Sequence, residues 1–163
     1  MVTQSGLGAT RHRVSFPQYL EVLIELPLHT ILKRREDGRV DFISPLPCPY
    51  NYGSVPGTQA PDGDREDALV LGPRLPKGHR TRAHVLARAN FYDAGSFDGK
   101  WVCGERMSER ERQGLVVFFH VYARCKALLN WLRGVRGRTA FEGLELAPDL
   151  IQAPDGTHRP SSV

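Results

Sequence analysis

Cysteine is scarce in this chain, and its spacing builds no framework. Cys48, Cys103 and Cys125 are the only three, an odd number with no CxxC pair. That argues against a zinc knuckle and against a disulfide scaffold, and it fits reduced thiols in a cytoplasmic protein. Long apolar runs are missing as well. None approaches the roughly 20 residues that a membrane-spanning helix needs, so no membrane partner is expected. The first residues, MVTQSGLGATRHR, contain no hydrophobic segment of the kind a secretory signal requires. No internal repeat is visible. What remains is a chain of 163 residues with 40% apolar content, enough for one ordinary folded domain.

The formal charge is +4, and the arginines are grouped. Arg80, Arg82 and Arg88 lie in one segment, Arg106, Arg110 and Arg112 in a second, and Arg133, Arg136 and Arg138 in a third. Basic surfaces attract phosphate, whether on small anions or on nucleic acid, and they also occur as plain solvated faces.

Periodicity divides the chain in two. Leu20-Glu-Val-Leu-Ile-Glu-Leu26 reads as a strand ended by Pro27. Residues 31–43 hold Glu36-Asp37-Gly38-Arg39 between two extended pieces, a hairpin signal. Residues 44–61 read as a long ordered loop or irregular strand, and Leu69–Leu71 as a short buried strand closed by Gly72-Pro73. In residues 79–90 alternation puts Ala83, Val85, Ala87 and Ala89 on one face and Arg82, His84 and Arg88 on the other. A turn over Phe91–Gly99 leads to a strand starting at Lys100.

The period then changes. Ser108-Glu109-Arg110-Glu111 has the form of a capping box. Leu115, Phe118, Phe119, Tyr122, Cys125, Leu129 and Leu132 follow at helical steps until Gly134, which predicts one helix over 108–133. The expected architecture is α+β and mainly β: a small closed antiparallel barrel of OB-like type, with a long C-terminal helix packed against it. Residues 1–15 read as a flexible lead, 16–147 as the domain and 148–163 as a loose tail.

Carboxylates concentrate at two places. Asp62, Asp64 and Asp67 fall within six residues, directly before the Leu69–Leu71 strand. Packed aspartates repel one another, so such a loop is either a solvated turn or the holder of a hard cation. An EF-hand is excluded: counted from Asp62, its sixth position should be Gly and its twelfth Glu, but Asp67 and Pro73 stand there. Asp93 and Asp98 form the second group, with Lys100 two residues on. If the strands at Leu69–Leu71 and Val85–Ala89 are neighbours, both acidic loops lie at one end of the sheet. Carboxylates gathered there call for a metal, and a lysine beside them would meet a substrate anion.

The ordered set Ile24-Glu25-Leu26-Pro27, Lys33, Pro49-Tyr50-Asn51-Tyr52-Gly53, Asp62-Gly63-Asp64-x-x-Asp67, Asp93-x4-Asp98-x-Lys100 and Phe118-Phe119-x-x-Tyr122 resembles the soluble inorganic pyrophosphatases of the single-domain β-barrel type. The resemblance covers about residues 20–126. It implies hydrolysis of inorganic diphosphate in a cytoplasmic homo-oligomer. It also implies at least two Mg2+ ions, with Mn2+ or another divalent ion as substitute. Asp62, Asp67, Asp93 and Asp98 would be metal ligands, Asp64 the general base, and Glu25 a support for the metal and water network. Lys33, Tyr52, Lys100 and Tyr122 would hold phosphate. Nucleic acid is not an expected partner.

The pattern is broken in places. The resemblance implies an arginine where Phe42 follows Val40-Asp41, a lysine where Ala123 follows Tyr122, and an acidic residue at Arg35. Lys126, four residues after Tyr122 and so on the same helical face, is one candidate replacement, and Arg34, Arg35 and Arg39 are others. Two rival readings follow: a divergent relative with low activity or another phosphate substrate, and a non-catalytic basic binding module on the same scaffold.

Overall fold

The computed structural model describes residues 15–151 apart from 31, 35–39, 44–45 and 61–62, and gives the backbone alone for 32–34, 40–43 and 151. Among the described residues nine strands and two helices follow one another: β1 (Tyr19–Leu26), β2 (Leu32–Arg34), β3 (Val40–Ile43), β4 (Asn51–Ser54), β5 (Asp67–Val70), β6 (Arg80–Asp93), β7 (Ser96–Phe97), β8 (Lys100–Gly104), α1 (Glu109–Leu132), β9 (Ala140–Leu146) and α2 (Pro148–Ile151).

Five strands close into a ring. The order runs β1-β4-β5-β8-β6, and β6 pairs back onto β1, while β7 and β9 attach to β6 and extend the sheet. Every pair is antiparallel except β5–β8. β2 and β3 form a separate antiparallel ribbon in which Lys33 is the register partner of Phe42. The expected hairpin is therefore present, while its turn at Glu36–Arg39 lies outside the described residues, as do the N-terminal lead and most of the tail.

Alternation along the strands builds two cores. Ala68, Val70, Trp101 and Cys103 turn to one side and join Val22, Ile24, Val55, Ala83 and Val85. Leu69, Leu71 and Val102 turn to the other and meet Leu115, Phe119 and Ala123 of α1. Period two in the sheet thus fills both faces with apolar side chains.

Two expectations about the sheet change. The strands at β5 and β6 are not neighbours, because β8 lies between them. The four alanine and valine positions of β6 do not share a face: the register slips between Val85 and Ala87. Ala83 and Val85 therefore join one core, and Ala87 and Ala89 the other. A bulge reverses which side chains face inward, and alternation alone does not reveal it.

The helix starts as its sequence predicts. The Ser108 hydroxyl accepts from the Glu111 N–H at 3.2 Å, and the Glu111 carboxylate accepts from the Ser108 N–H at 2.8 Å. Gly134, at φ 70°, ends it in the left-handed region where glycine is unstrained. By length and composition α1 is apolar enough to cross a bilayer, a property that core helices share. Here it lies against the sheet, with its continuation β9 paired to β6. Leu132, expected on the packed face, is exposed.

Candidate active site

The parallel pair β5–β8 sets the centre of the site. Asp67 and Lys100 open their strands as direct register partners. The Lys100 ammonium donates to Asp67 Oδ2 at 2.8 Å and to both Asp98 oxygens, at 2.9 and 3.0 Å. Asp98 is held just before β8, where its N–H donates to the Phe91 carbonyl at 2.8 Å. The two acidic loops meet at one end of the sheet, as expected, although through β8 rather than through adjacency of β5 and β6.

Two tyrosines face this centre. The Tyr52 ring lies 5.8 Å from the Lys100 ammonium, and the Asp67 carboxylate acts on its phenol. Tyr122 stacks on Phe118 at 5.8 Å and packs on Phe91 at 5.6 Å. Burial pushes Tyr122 up to about 12, and Lys100, Asp98, Asp93 and Asp67 all act on it. Burial likewise raises Tyr52 well above its ordinary value. Both phenols are therefore neutral donors at working pH. Burial alone would lower Lys100, but the carboxylates of Asp67 and Asp98 outweigh it and hold the ammonium well above its usual range. Asp98 is raised, first by burial and then by Asp67 and Asp93, with Lys100 opposing.

Asp93, the last residue of β6, is clasped from the helix side. Its Oδ1 accepts from Asn130 Nδ2 at 2.7 Å and from the Thr139 hydroxyl at 3.3 Å. Its Oδ2 lies 3.2 Å from the Lys126 ammonium. Thr139 also accepts from Asn130 at 3.0 Å and from the Ala94 N–H at 3.1 Å, which ties the end of β6 to α1 and to the start of β9.

Asp67, Asp93, Asp98, Lys100, Tyr52 and Tyr122 are thus brought together. Asp64 is exposed on the loop three residues before Asp67, where its carbonyl accepts from the Ala60 N–H at 2.7 Å. Glu25 is the extra residue of a bulge between Ile24 and Leu26, and it accepts from the Ser54 hydroxyl at 2.8 Å. Asp62 lies outside the described residues, and Lys33 is described only as β2 backbone.

Among the described residues no three acidic, histidine or cysteine side chains converge as a ready metal cage. The donor set nevertheless suits a hard cation. Asp67 and Asp98 present oxygens within 3.0 Å of a single positive centre, now the Lys100 ammonium. Carboxylates aimed at one point charge are what Mg2+ asks of a protein.

Asn130 and Thr139 were not foreseen. Asn130 follows Phe119, Ala123 and Lys126 at helical steps, so a buried polar residue in the packed stripe was its available signal. Thr139 has none, because its role arises from the return of the chain after α1.

A ring of strands with carboxylates and a buried lysine at one end, covered by a single long helix, defines an OB-like scaffold with a charged site at one end of its sheet. Comparison with known proteins narrows this. The family model described as inorganic pyrophosphatase matches residues 29–133. The inorganic pyrophosphatase of Gluconobacter oxydans is 35% identical over 95 residues, 53% of this chain and 55% of that one. Inorganic pyrophosphatase 1 of Pseudomonas syringae is 33% identical over 93 residues, 52% of this chain and 53% of that one. The chain spans about half the length of the curated relatives it matches. Among solved structures, an inorganic pyrophosphatase from Coxiella burnetii superposes with a TM-score of 0.63 at 26% identity, over 79% of this chain and 86% of that one. The chain belongs to the inorganic pyrophosphatase family.

Proposed function

We propose that the chain hydrolyses inorganic pyrophosphate to two phosphates in a Mg2+-dependent reaction. The observation that carries this is the convergence of Asp67 and Asp98 on Lys100, with Tyr52 and Tyr122 facing the same centre. Repelling carboxylates at a strand end serve a cation better than they serve stability.

Asp62, Asp67, Asp93 and Asp98 would hold the divalent ions. When bound, such ions lower the pKa of water and offset phosphate charge. The chain's own residues do the rest. Asp64, on its exposed loop, accepts the proton of the attacking water as its oxygen bonds to phosphorus and the bridging P–O bond breaks. Lys33 and Lys100 offset the charge that gathers on the leaving phosphate. Tyr52 and Tyr122, neutral phenols, donate directional hydrogen bonds without adding negative charge. Glu25, turned by its bulge, supports the water network. A homo-oligomer in the cytoplasm is part of this reading, and Val117, Val121, Leu128 and Trp131, exposed along α1, are compatible with subunit contact.

The second reading is a relative with a weaker substrate grip. Ala123 is buried in the core beneath α1, where a lysine would lose its solvation. The binding-module reading is disfavoured by the carboxylates, which such a module has no reason to gather.

Phosphate release from pyrophosphate, measured with and without Mg2+ and beside Asp64→Asn, tests the assignment. Mg2+-dependent turnover lost in the variant supports it. Equal, negligible rates in both proteins would sink it, and activity on another phosphate ester alone would favour the second reading.

A further inference from the structure

The geometry points to Lys126 as a metal-displaced phosphate ligand: its ammonium competes with a divalent cation for Asp93, and metal loading turns it toward the substrate. This rests on the proposed reaction and assigns a residue to its substrate grip.

The two oxygens of Asp93 have different work. Oδ1 is taken by the Asn130 amide at 2.7 Å and the Thr139 hydroxyl at 3.3 Å. That leaves Oδ2 as the oxygen through which Asp93 can face a cation, and Oδ2 is the atom that Lys126 meets at 3.2 Å. An ammonium and a divalent ion cannot both sit there. The competition is local, since the Lys126 side chain is 15% exposed and Asp93 28%, so solvent screens the pair only in part.

The carboxylate is the fixed partner of this pair. Lys126 stands on α1 at the end of a flexible four-carbon stem, whereas Asn130 and Thr139 hold the carboxylate still. Tyr122, one helical turn earlier on the same face, already faces Lys100 and the carboxylates. An ammonium released from Asp93 is then within reach of the anion those groups bind. It is released when the metal that accompanies pyrophosphate arrives. Metal and substrate binding become positively coupled, and by linkage the coupling is reciprocal. Buried Ala123 offers no cation at the neighbouring position.

The signature is a pair of opposite effects. Mg2+ alone is titrated calorimetrically into the metal-stripped full chain and into Lys126→Met, and pyrophosphate kinetics are run at saturating Mg2+. Lys126→Met should bind Mg2+ about threefold to tenfold more tightly, the range of a modest coupling energy. Its KM for pyrophosphate should rise by a similar factor. Lys126→Arg should show neither change. Arg124→Met, which removes a charge from the exposed side of α1, should leave the Mg2+ affinity within about twofold, as screened surface charges do. Lys126→Gln repeats the test if the Met variant folds poorly. Unchanged or weaker Mg2+ binding in both Lys126 variants, with wild-type turnover intact, overturns the inference and leaves the proposed reaction standing. A wild-type chain with neither Mg2+ binding nor turnover overturns both.

Discussion

Asp67 and Lys100 are register partners in the one parallel pair of the ring, and their side chains meet at 2.8 Å. A parallel pair starts both strands at the same end of the sheet. The loop that ends in Asp67 and the turn that ends in Lys100 therefore open at one place. Antiparallel pairing would have put those two beginnings at opposite ends.

Removal of Lys100 tests how much of the fold depends on this point. The ammonium is buried and serves Asp67 and Asp98 together. Lys100→Met leaves both carboxylates without their shared cation, and unfolding in urea without metal should show a loss of about 3–5 kcal/mol. Mg2+ should restore part of that loss, because it supplies the missing charge. A loss below about 1 kcal/mol would mean that solvent already neutralises the pair.

Asp98 should show the opposite sign. Its native pKa is raised from 3.8, chiefly by burial, so the folded state favours the protonated form. The stability this group contributes is full below its unfolded value and is lost as pH rises through the raised native value. At neutral pH the ionised carboxylate burdens the metal-free fold. Asp98→Asn, which cannot ionise, should raise the Tm in EDTA by about 2–4 °C, while abolishing the stabilisation by Mg2+ and the turnover. Thermal melts with and without metal decide it. A variant less stable in EDTA would show that its bonds to Lys100 outweigh its burial.

Much of the candidate cluster that the structure brings together was legible in the sequence because its members are local in the chain. Asp98 and Lys100 stand two residues apart on one turn, and Asp64 and Asp67 share one loop. The capping box fixed the start of α1, and the three- and four-residue steps put Tyr122 on its packed face. What escaped depends on register and return. The bulge at Val85/Ala87 leaves no mark in an alternating sequence, and β9 has only weak alternation around Gly143. β8 enters between β5 and β6 because a parallel partner is set by long-range packing. Asn130 and Thr139 reach Asp93 only after the chain turns at Gly134 and comes back.

Tyr122 separates grip from packing. Its ring is held between Phe118 and Phe91. With the pKa near 12, the hydroxyl stays protonated across the working range. Tyr122→Phe keeps the ring contacts and deletes one donor to a charged oxygen. A hydrogen bond of that kind is worth about 1.5–3 kcal/mol, so kcat/KM for pyrophosphate should fall roughly tenfold to a hundredfold. The melting temperature should move by less than about 2 °C. An unchanged kcat/KM would remove Tyr122 from the substrate grip and return it to the core.

Gly99 lies between Asp98 and Lys100, and space is what it supplies. A Cβ there would stand 2.6 Å from two ring carbons of Phe97 and 2.9 Å from Arg88 Nε. Phe97 cannot simply swing away, because Arg88 stacks on it at 4.9 Å and on Trp101 at 4.9 Å. Gly99→Ala must therefore push the ring or shift the backbone that aims Asp98 and Lys100. Overpacking of this kind costs about 1–3 kcal/mol. A displacement of the two site residues should also weaken Mg2+ binding and reduce turnover about tenfold or more. Phe97→Ala in the same chain opens the space, so the double variant should recover Mg2+ affinity and much of the rate. Urea unfolding, Mg2+ calorimetry and phosphate release on the two single variants and the double variant form a complete cycle. Additive losses would mean that Gly99 serves the turn alone; recovery would show that the Arg88–Phe97–Trp101 stack sets the position of the Asp98–Lys100 turn.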